Sequence, residues 1–294
     1  MKRFAYVAGC VMISAAAAAL AAAPAGDAAP VTKRAARAAQ AAPAKVAAEV
    51  KAAAEAPVTP VAGLNAAQII EKNVAARGGL AAWRAVNSIT MSGQMDAGGK
   101  SNARLPFVMT LQRPNKSRLE IQFQNQAAVQ VFDGAQGWKL RPYMNRDEAE
   151  PYTPAEAKLA GATAELDGML IDYAKKGTKV ELMGAQAVEG KNAYKLKLTL
   201  KDGTQRHLWL DAASFLEMKV DGDPRKMDGR MRQVAIYYRD YKAEKGLAVA
   251  RVLETVVEGV NQASKINIET VAINQPVDEA LFAKPQLIAK VAGK

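Results

Sequence analysis

Tyr194-Lys195-Leu196-Lys197-Leu198-Thr199-Leu200-Lys201-Asp202-Gly203-Thr204-Gln205-Arg206-His207-Leu208-Trp209-Leu210 is the stretch that decides the fold. Leu196, Leu198 and Leu200 alternate with Lys195, Lys197 and Thr199, so an extended chain here has one apolar side and one polar side. That period of two belongs to a half-buried strand. Asp202-Gly203 supplies the positive-φ residues that a tight hairpin turn needs. Leu208 and Leu210 then restart the alternation, and two strands joined by so short a turn pair antiparallel.

The same pattern extends in both directions. Downstream, Phe215 to Val220, Gln233 to Tyr241, Ala248 to Val257 and Lys265 to Ile273 read as strands, and upstream Val180 to Val188 does so. An earlier run comprises Ile89 to Met95, Leu105 to Leu111, Leu119 to Phe123, Val129 to Val131 and Gly137 to Leu140, with turns at Arg113-Pro114-Asn115 and Asp133-Gly134. Strands spaced by roughly ten residues and joined by short turns predict about ten or eleven antiparallel strands. That number suits one large curved sheet or barrel better than a flat open one. The fold class is mainly β with a few helices.

Three short helical pieces accompany the strands. Asn65 with Gln68 three residues on forms a capping box, Ile69, Ile70 and Val74 share a face, and Arg77-Gly78-Gly79 stops the helix. Leu80 to Val86 follows and carries Trp83. Between the two strand runs, Thr153-Pro154-Ala155-Glu156 has a cap, a proline at the first helical position and a box glutamate. Leu159, Leu166, Met169 and Leu170 follow at roughly helical spacing, with Gly161 and Gly168 as points where that helix breaks. Pro276 to Phe282 reads as a final helical turn.

The N-terminal quarter is different. Met1-Lys2-Arg3 is followed by an apolar, mostly alanine run from Phe4 to about Ala23, with cleavage contexts at Ala23-Pro24-Ala25 and Asp27-Ala28-Ala29. This is the layout of a secretory signal peptide, over residues 1–25. An uncleaved anchor is the alternative, since about 20 apolar residues span a bilayer. Val7-Ala8-Gly9-Cys10 has the look of a lipidation site, but it follows Arg3 too closely for an ordinary apolar segment. Residues 26–63 are rich in Ala, Pro, Lys and Glu, and scattered valines cannot bury enough surface to offset ordering entropy. They read as a flexible linker, residues 64–285 as the β domain and residues 286–294 as a tail.

Of 294 residues only 6% are aromatic, and the formal net charge is +11. The charges mostly alternate with apolar residues along strands, and ordinary solubility accounts for them. Aromatic and basic residues interleave in Tyr237-Tyr238-Arg239-Asp240-Tyr241-Lys242, but export argues against a nucleic-acid partner.

Catalytic signals are missing. His207 is the single histidine, Cys10 the single cysteine, and no G-x-S-x-G elbow or Gly-rich phosphate loop occurs. A zinc site would need to be almost entirely carboxylate. Asp221-Gly222-Asp223 with Asp228 resembles a calcium loop but lacks the closing glutamate, and reads better as a polar turn. No catalytic residue, metal or cofactor is expected.

What remains is one apolar sheet face, carrying Leu119, Ile121, Phe123, Leu196, Leu198, Leu208, Leu210, Ile236 and Tyr238, opposite positions that are mostly Glu, Gln, Lys and Arg. Three short helices cover little of it. Either the sheet closes on its own interior, or a cavity remains that takes an apolar guest. Methionines such as Met91, Met109, Met169 and Met183 suit an adaptable lining.

The order of short motifs resembles the LolA-like outer-membrane lipoprotein-sorting family. Ile69-Ile70-Glu71-Lys72 through Ala76-Arg77-Gly78-Gly79 to Ile89-Thr90-Met91-Ser92-Gly93 is similar to that family's opening. So are Asp133-Gly134 with Gly137-Trp138, and Lys179 to Gly184 running to Val188-Glu189-Gly190. Asp240-Tyr241, and Asn274 to Asp278 with Phe282 and Pro285, complete the likeness, which spans roughly Leu64 to Pro285. The resemblance implies a half-open antiparallel barrel with helices across its concave side, binding acyl chains or other apolar ligands, and an arginine that helps to gate the lid. Arg77, Arg104 and Arg118 are all candidates for it.

The expected function is therefore a periplasmic carrier or chaperone for lipoprotein acyl chains or another lipid. The alternative is a non-enzymatic periplasmic sensor on the same fold that recognises a protein or lipoprotein. Met91, Phe107, Met109, Ile121, Phe123, Leu196, Leu198, Leu208, Ile236 and Tyr238 are the expected lining, with Met169 and Leu170 on the lid. Expected partners are lipid or lipoprotein acyl chains and the inner- or outer-membrane lipoprotein machinery, and the chain is expected to be a monomer.

Overall fold

The computed structural model describes Thr59 and residues 63–96, 103–123 and 125–286. The signal segment, nearly all of the linker and the tail beyond Gln286 lie outside the described residues.

Helix α1 (Ala66–Ala76) starts at Asn65, whose side chain accepts from the Gln68 N–H at 2.9 Å while the Gln68 side chain accepts from the Asn65 N–H at 2.9 Å. This is the reciprocal capping box that the sequence spells. Ile69 and Ile70 are buried against the sheet. The helix ends where Gly78 takes φ +115° and packs so tightly that an added Cβ would sit 2.4 Å from the Gly246 carbonyl oxygen. Only glycine meets both demands. Helix α2 (Leu80–Arg84) follows and buries Trp83.

Two meanders make the sheet. The first comprises β1 (Ser88–Asp96), β2 (Arg104–Gln112), β3 (Lys116–Phe123), β4 (Gln126–Phe132), β5 (Gly137–Arg141) and β6 (Arg146–Pro151). Helix α3 (Pro154–Thr163), with its own capping box at Thr153 and Glu156, and a run of turns to Gly177 lead across to the second. That one comprises β7 (Lys179–Val188), β8 (Lys191–Thr199), β9 (Gln205–Asp211), β10 (Glu217–Asp221), β13 (Val234–Glu244), β14 (Leu247–Val257) and β15 (Ser264–Ile273). A separate hairpin, β11 (Arg225–Met227) and β12 (Arg230–Arg232), interrupts it between β10 and β13.

The main sheet has 13 strands in the order β6-β5-β4-β3-β2-β1-β15-β14-β13-β10-β9-β8-β7. Its seam is the antiparallel pairing of β1 with β15, from Ile89↔Ile273 to Met95↔Ile266. Two expectations need correction. The strand count exceeds ten or eleven, and the sheet does not close: β6 and β7 are its two edges and are not paired with each other. The barrel inferred from strand number is thus an open sheet. A helix and a turn segment, not hydrogen bonds, join its edges.

One face, here the inner face, is covered by α1, α2, α3 and the turns after α3. Ile69, Ile70, Met169 and Leu170 pack there on Leu196, Leu198, Leu208 and Ile236. Farther along, Phe107, Met109, Leu119 and Ile121 pack with Leu253 and Ile266. The outer face was expected to be polar, yet it has apolar cores of its own. Trp209 and Tyr237 are buried there with Val188, Ala193, Ala235 and Val256. Val129, Val131 and Leu140 are covered by Phe282, from the 3₁₀ turn Glu279–Phe282.

The polar turn at 221–228 is also more structured than expected. Asp223 is ion-paired with Arg206, and Asp228 takes φ +49° at the tip of the β11–β12 hairpin. Strand β10 begins at Glu217 instead of Phe215, because Phe215 takes φ +61° in the preceding turn.

Candidate ligand-binding site

The inner face is not completely filled. Between the middle of the sheet and its helical cover lies a cavity of about 110 Å³. Its floor includes Met91, Met109, Leu208, Tyr238, Leu253 and Ile268, and its cover includes Trp83, Leu166, Met169 and Leu170. Six of the twelve expected lining residues therefore border it: Met91, Met109, Met169, Leu170, Leu208 and Tyr238. The other six lie in the packed cores beside it. Leu196, Leu198 and Ile236 are sealed under α1. Phe107, Ile121 and Phe123 lie in the core that continues from Met109 and Leu253, where Phe123 meets Tyr143 edge-on at 5.6 Å.

The size is smaller than the apolar face suggested. A dry cavity of about 150 Å³ holds a benzene. A space of this size has no room for a long acyl chain, and a guest of that length requires the cover to move outward. A second, open hollow of about 570 Å³ lies outside the cover, between α1 and the turns at 170–175. Leu170 borders both spaces and is the residue they share.

Cations fasten the cover. Arg77 caps α1, and its side chain is only 8% exposed. Its guanidinium donates to the Asp167 carbonyl at 3.1 Å, lies 3.8 Å from a Glu217 carboxylate oxygen, and stacks 4.3 Å from the Trp83 ring centre. Gly168, with φ +73°, leaves room for it; an added Cβ would lie 3.3 Å from its Nη1. Of the three candidate arginines, Arg77 alone borders the cavity. Arg118 pairs with Glu120 and donates to the Leu281 carbonyl, on the outer face, and Arg104 is exposed at the end of β2.

The sequence reading missed a second clamp. Arg113, read only as part of a turn, grips both carboxylate oxygens of Asp167 at 3.0 and 2.6 Å and donates to the carbonyls of Val86 and Trp83. The hydrogen bonds from Arg113 hold the Asp167 carboxyl below the usual carboxylate range. Lys176 donates to the Gly168 carbonyl at 2.6 Å and pairs with Glu165. No local signal marks Arg113 or Asp167, because 54 residues separate the partners.

The lining offers mainly apolar contact, with the Arg77 guanidinium and the Glu165 and Glu217 carboxylates at its border. His207 Nδ1 lies 2.8 Å from an Asp221 carboxylate oxygen at the sheet end, away from the cavity lining. Among the described residues no group of three or more His, Cys, Asp or Glu side chains is placed to hold a metal. Also among them, no helix is long and apolar enough to cross a membrane.

Comparison with solved structures settles the architecture. A LolA superfamily protein from Nitrosomonas europaea superposes with a TM-score of 0.51 at 13% identity, covering 74% of this chain and 98% of that one. This is the LolA fold. A DUF1329 family protein from Desulfovibrio piger shares it, with a TM-score of 0.50 at 11% identity over 73% of this chain and 95% of the other. No protein-family model and no curated protein matches the sequence. In this chain's version of the LolA fold the inner face carries a small apolar cavity under an arginine-fastened cover.

Proposed function

We propose that this chain is a periplasmic carrier or chaperone that takes lipoprotein acyl chains, or another lipid, between the inner sheet face and its helical cover. The observation that carries the reading is the unfilled apolar space between the inner sheet face and its cover. Burial of a chain there would yield about 0.8 kcal/mol per methylene. Arg77, Arg113 and Lys176 hold the cover shut without a guest, and Leu170 is the side chain a guest would displace to pass from groove to cavity. Export by the N-terminal segment would put the carrier in the compartment where such cargo travels.

The test is extraction of the protein purified from its own cells, with mass spectrometry of the extract and titration with a fluorescent fatty acid. A stoichiometric lipid, or saturable fatty-acid binding weakened by bulky substitution at Leu208, is the expected result. A lipid-free protein that also binds no fatty acid would sink the reading.

A second reading has its own support. The groove of about 570 Å³ outside the cover is open without any movement. A non-enzymatic sensor would receive a protein or lipoprotein segment there. A stable protein complex in pull-downs, abolished by changes in α1 but indifferent to the cavity, would favour it.

A further inference from the structure

The β11–β12 hairpin stands apart from the 13-stranded sheet and pairs only with itself among the described strands. It leaves the end of the β10–β13 pair at Asp221↔Ala235. The cavity borders β13 at Tyr238 and Tyr241. Three residues of strand, roughly 10 Å, separate Ala235 from the nearer of them.

Its composition is unusual for a surface hairpin. Residues 225–232 read Arg-Lys-Met-Asp-Gly-Arg-Met-Arg, four cations against one acid. Met231 is 60% exposed and Met227 37% exposed, two of the six large hydrophobic side chains exposed among the described residues. Lys226 and Arg230 are exposed and have no ion pair among the described residues, while Arg232 leans on the 259 turn. The acid that precedes the hairpin, Asp223, is engaged by Arg206.

Polar residues at a hairpin tip need no partner, but two exposed methionines cost water contact. Their flexible, polarisable side chains suit irregular apolar surroundings. The tip itself is Asp228-Gly229, and each face of the ribbon behind it pairs one methionine with one cation, Met231 beside Lys226 and Met227 beside Arg230. Apolar side chains flanked by Lys and Arg are the composition of elements that lie in the headgroup layer of anionic bilayers. A projection of eight residues is also too small for the roughly 800 Å² that each side of a stable protein interface buries. We infer that the β11–β12 hairpin docks this protein tip-first on an anionic lipid surface, with Met227 and Met231 entering the interface from its two faces and Arg230 and Lys226 beside them meeting phosphate headgroups. This does not rest on the carrier reading, because the contact is outside the cavity.

The test is co-sedimentation of the purified protein, in the form in which it accumulates in its cells, with vesicles of phosphatidylethanolamine and phosphatidylglycerol, against pure phosphatidylcholine vesicles. Binding is expected only to the anionic vesicles and should weaken with added salt. Lys226→Glu with Arg230→Glu should reduce the partition at least about tenfold, and Met227→Ser with Met231→Ser about threefold or more. Lys201→Glu with Lys284→Glu, the same charge change at two exposed sites elsewhere, should keep it within about twofold. Unchanged melting curves establish that the hairpin variants fold. Wild-type protein that ignores anionic vesicles, or equal loss in the hairpin and control pairs, would overturn the inference. So would hairpin-dependent capture of an acidic protein without vesicle binding.

Discussion

Asp167 shows how one side chain governs the cover. Its carboxylate is gripped by Arg113 and its carbonyl by Arg77, so two elements of the wall meet on one residue. The depressed carboxyl pKa gives a sign. Stability from the ionised form is fully present above the unfolded value of about 3.9 and is lost as pH falls through the lower folded value. The clamp therefore opens only below about pH 4, and changes between pH 5 and 8 leave it shut. Asp167→Asn should cost about 1–3 kcal/mol in urea unfolding at pH 7, the usual loss when a half-buried charged hydrogen bond is broken. The gap between variant and parent should narrow at pH 3. A cost that stays constant with pH would mean that Asp167 acts through shape alone.

At the scale of elements, the strands β8, β9, β10, β13 and β14 share a row across the outer face. Lys195, Trp209, Lys219, Tyr237 and Glu254 stand directly opposite one another in successive pairings. The Lys219 ammonium lies 4.1 Å from the centre of the Trp209 ring and 5.9 Å from that of Tyr237. Burial pushes its pKa down, and Lys195 adds to the effect. Cation–π attraction returns about 0.5–2 kcal/mol, less than the several kcal/mol that burying an ammonium costs. For a lysine with a lowered folded pKa, that cost is present below the folded value and disappears as pH rises past the ordinary value near 10.5. Lys219→Met should thus stabilise the protein by about 1 kcal/mol at pH 7, a few degrees in Tm, and by less at pH 11. A loss at pH 7 would show that the cation holds the row together.

This row also marks where the sequence stopped being legible. Alternation located the strands and put the leucines on the inner face. It could not show that Trp209 and Tyr237, at positions of opposite parity among lysines and arginines, build a core on the other side. Strand β6, Arg-Asp-Glu-Ala-Glu-Pro, was missed because an edge strand open to water needs no apolar residue. Caps and turns were legible because their partners lie three residues away. The cavity and its clamps were not, since they depend on which distant side chains stop short of touching.

For the whole molecule, the exposed edges matter most. Charged β6 protects itself, but β7 offers free backbone groups and an exposed Met183. Thr59 meets that edge with two backbone hydrogen bonds to Ala185, at 2.9 and 2.7 Å. A chain beginning at Gly63 should self-associate at lower concentration than the parent in sedimentation velocity runs. Identical behaviour would show that the bulge at Leu182/Gly184 is protection enough.

The β1–β15 seam has a kinetic meaning. Every other pairing in the main sheet joins strands that are neighbours in sequence or separated only by the small hairpin, whereas Ile89 pairs with Ile273. Closing so long a loop carries an entropy cost that short hairpins avoid. Each meander can therefore zip from its own turns, and the seam forms when the two finished halves meet. The cavity draws its lining from both halves, so its wall is complete only once that seam has formed.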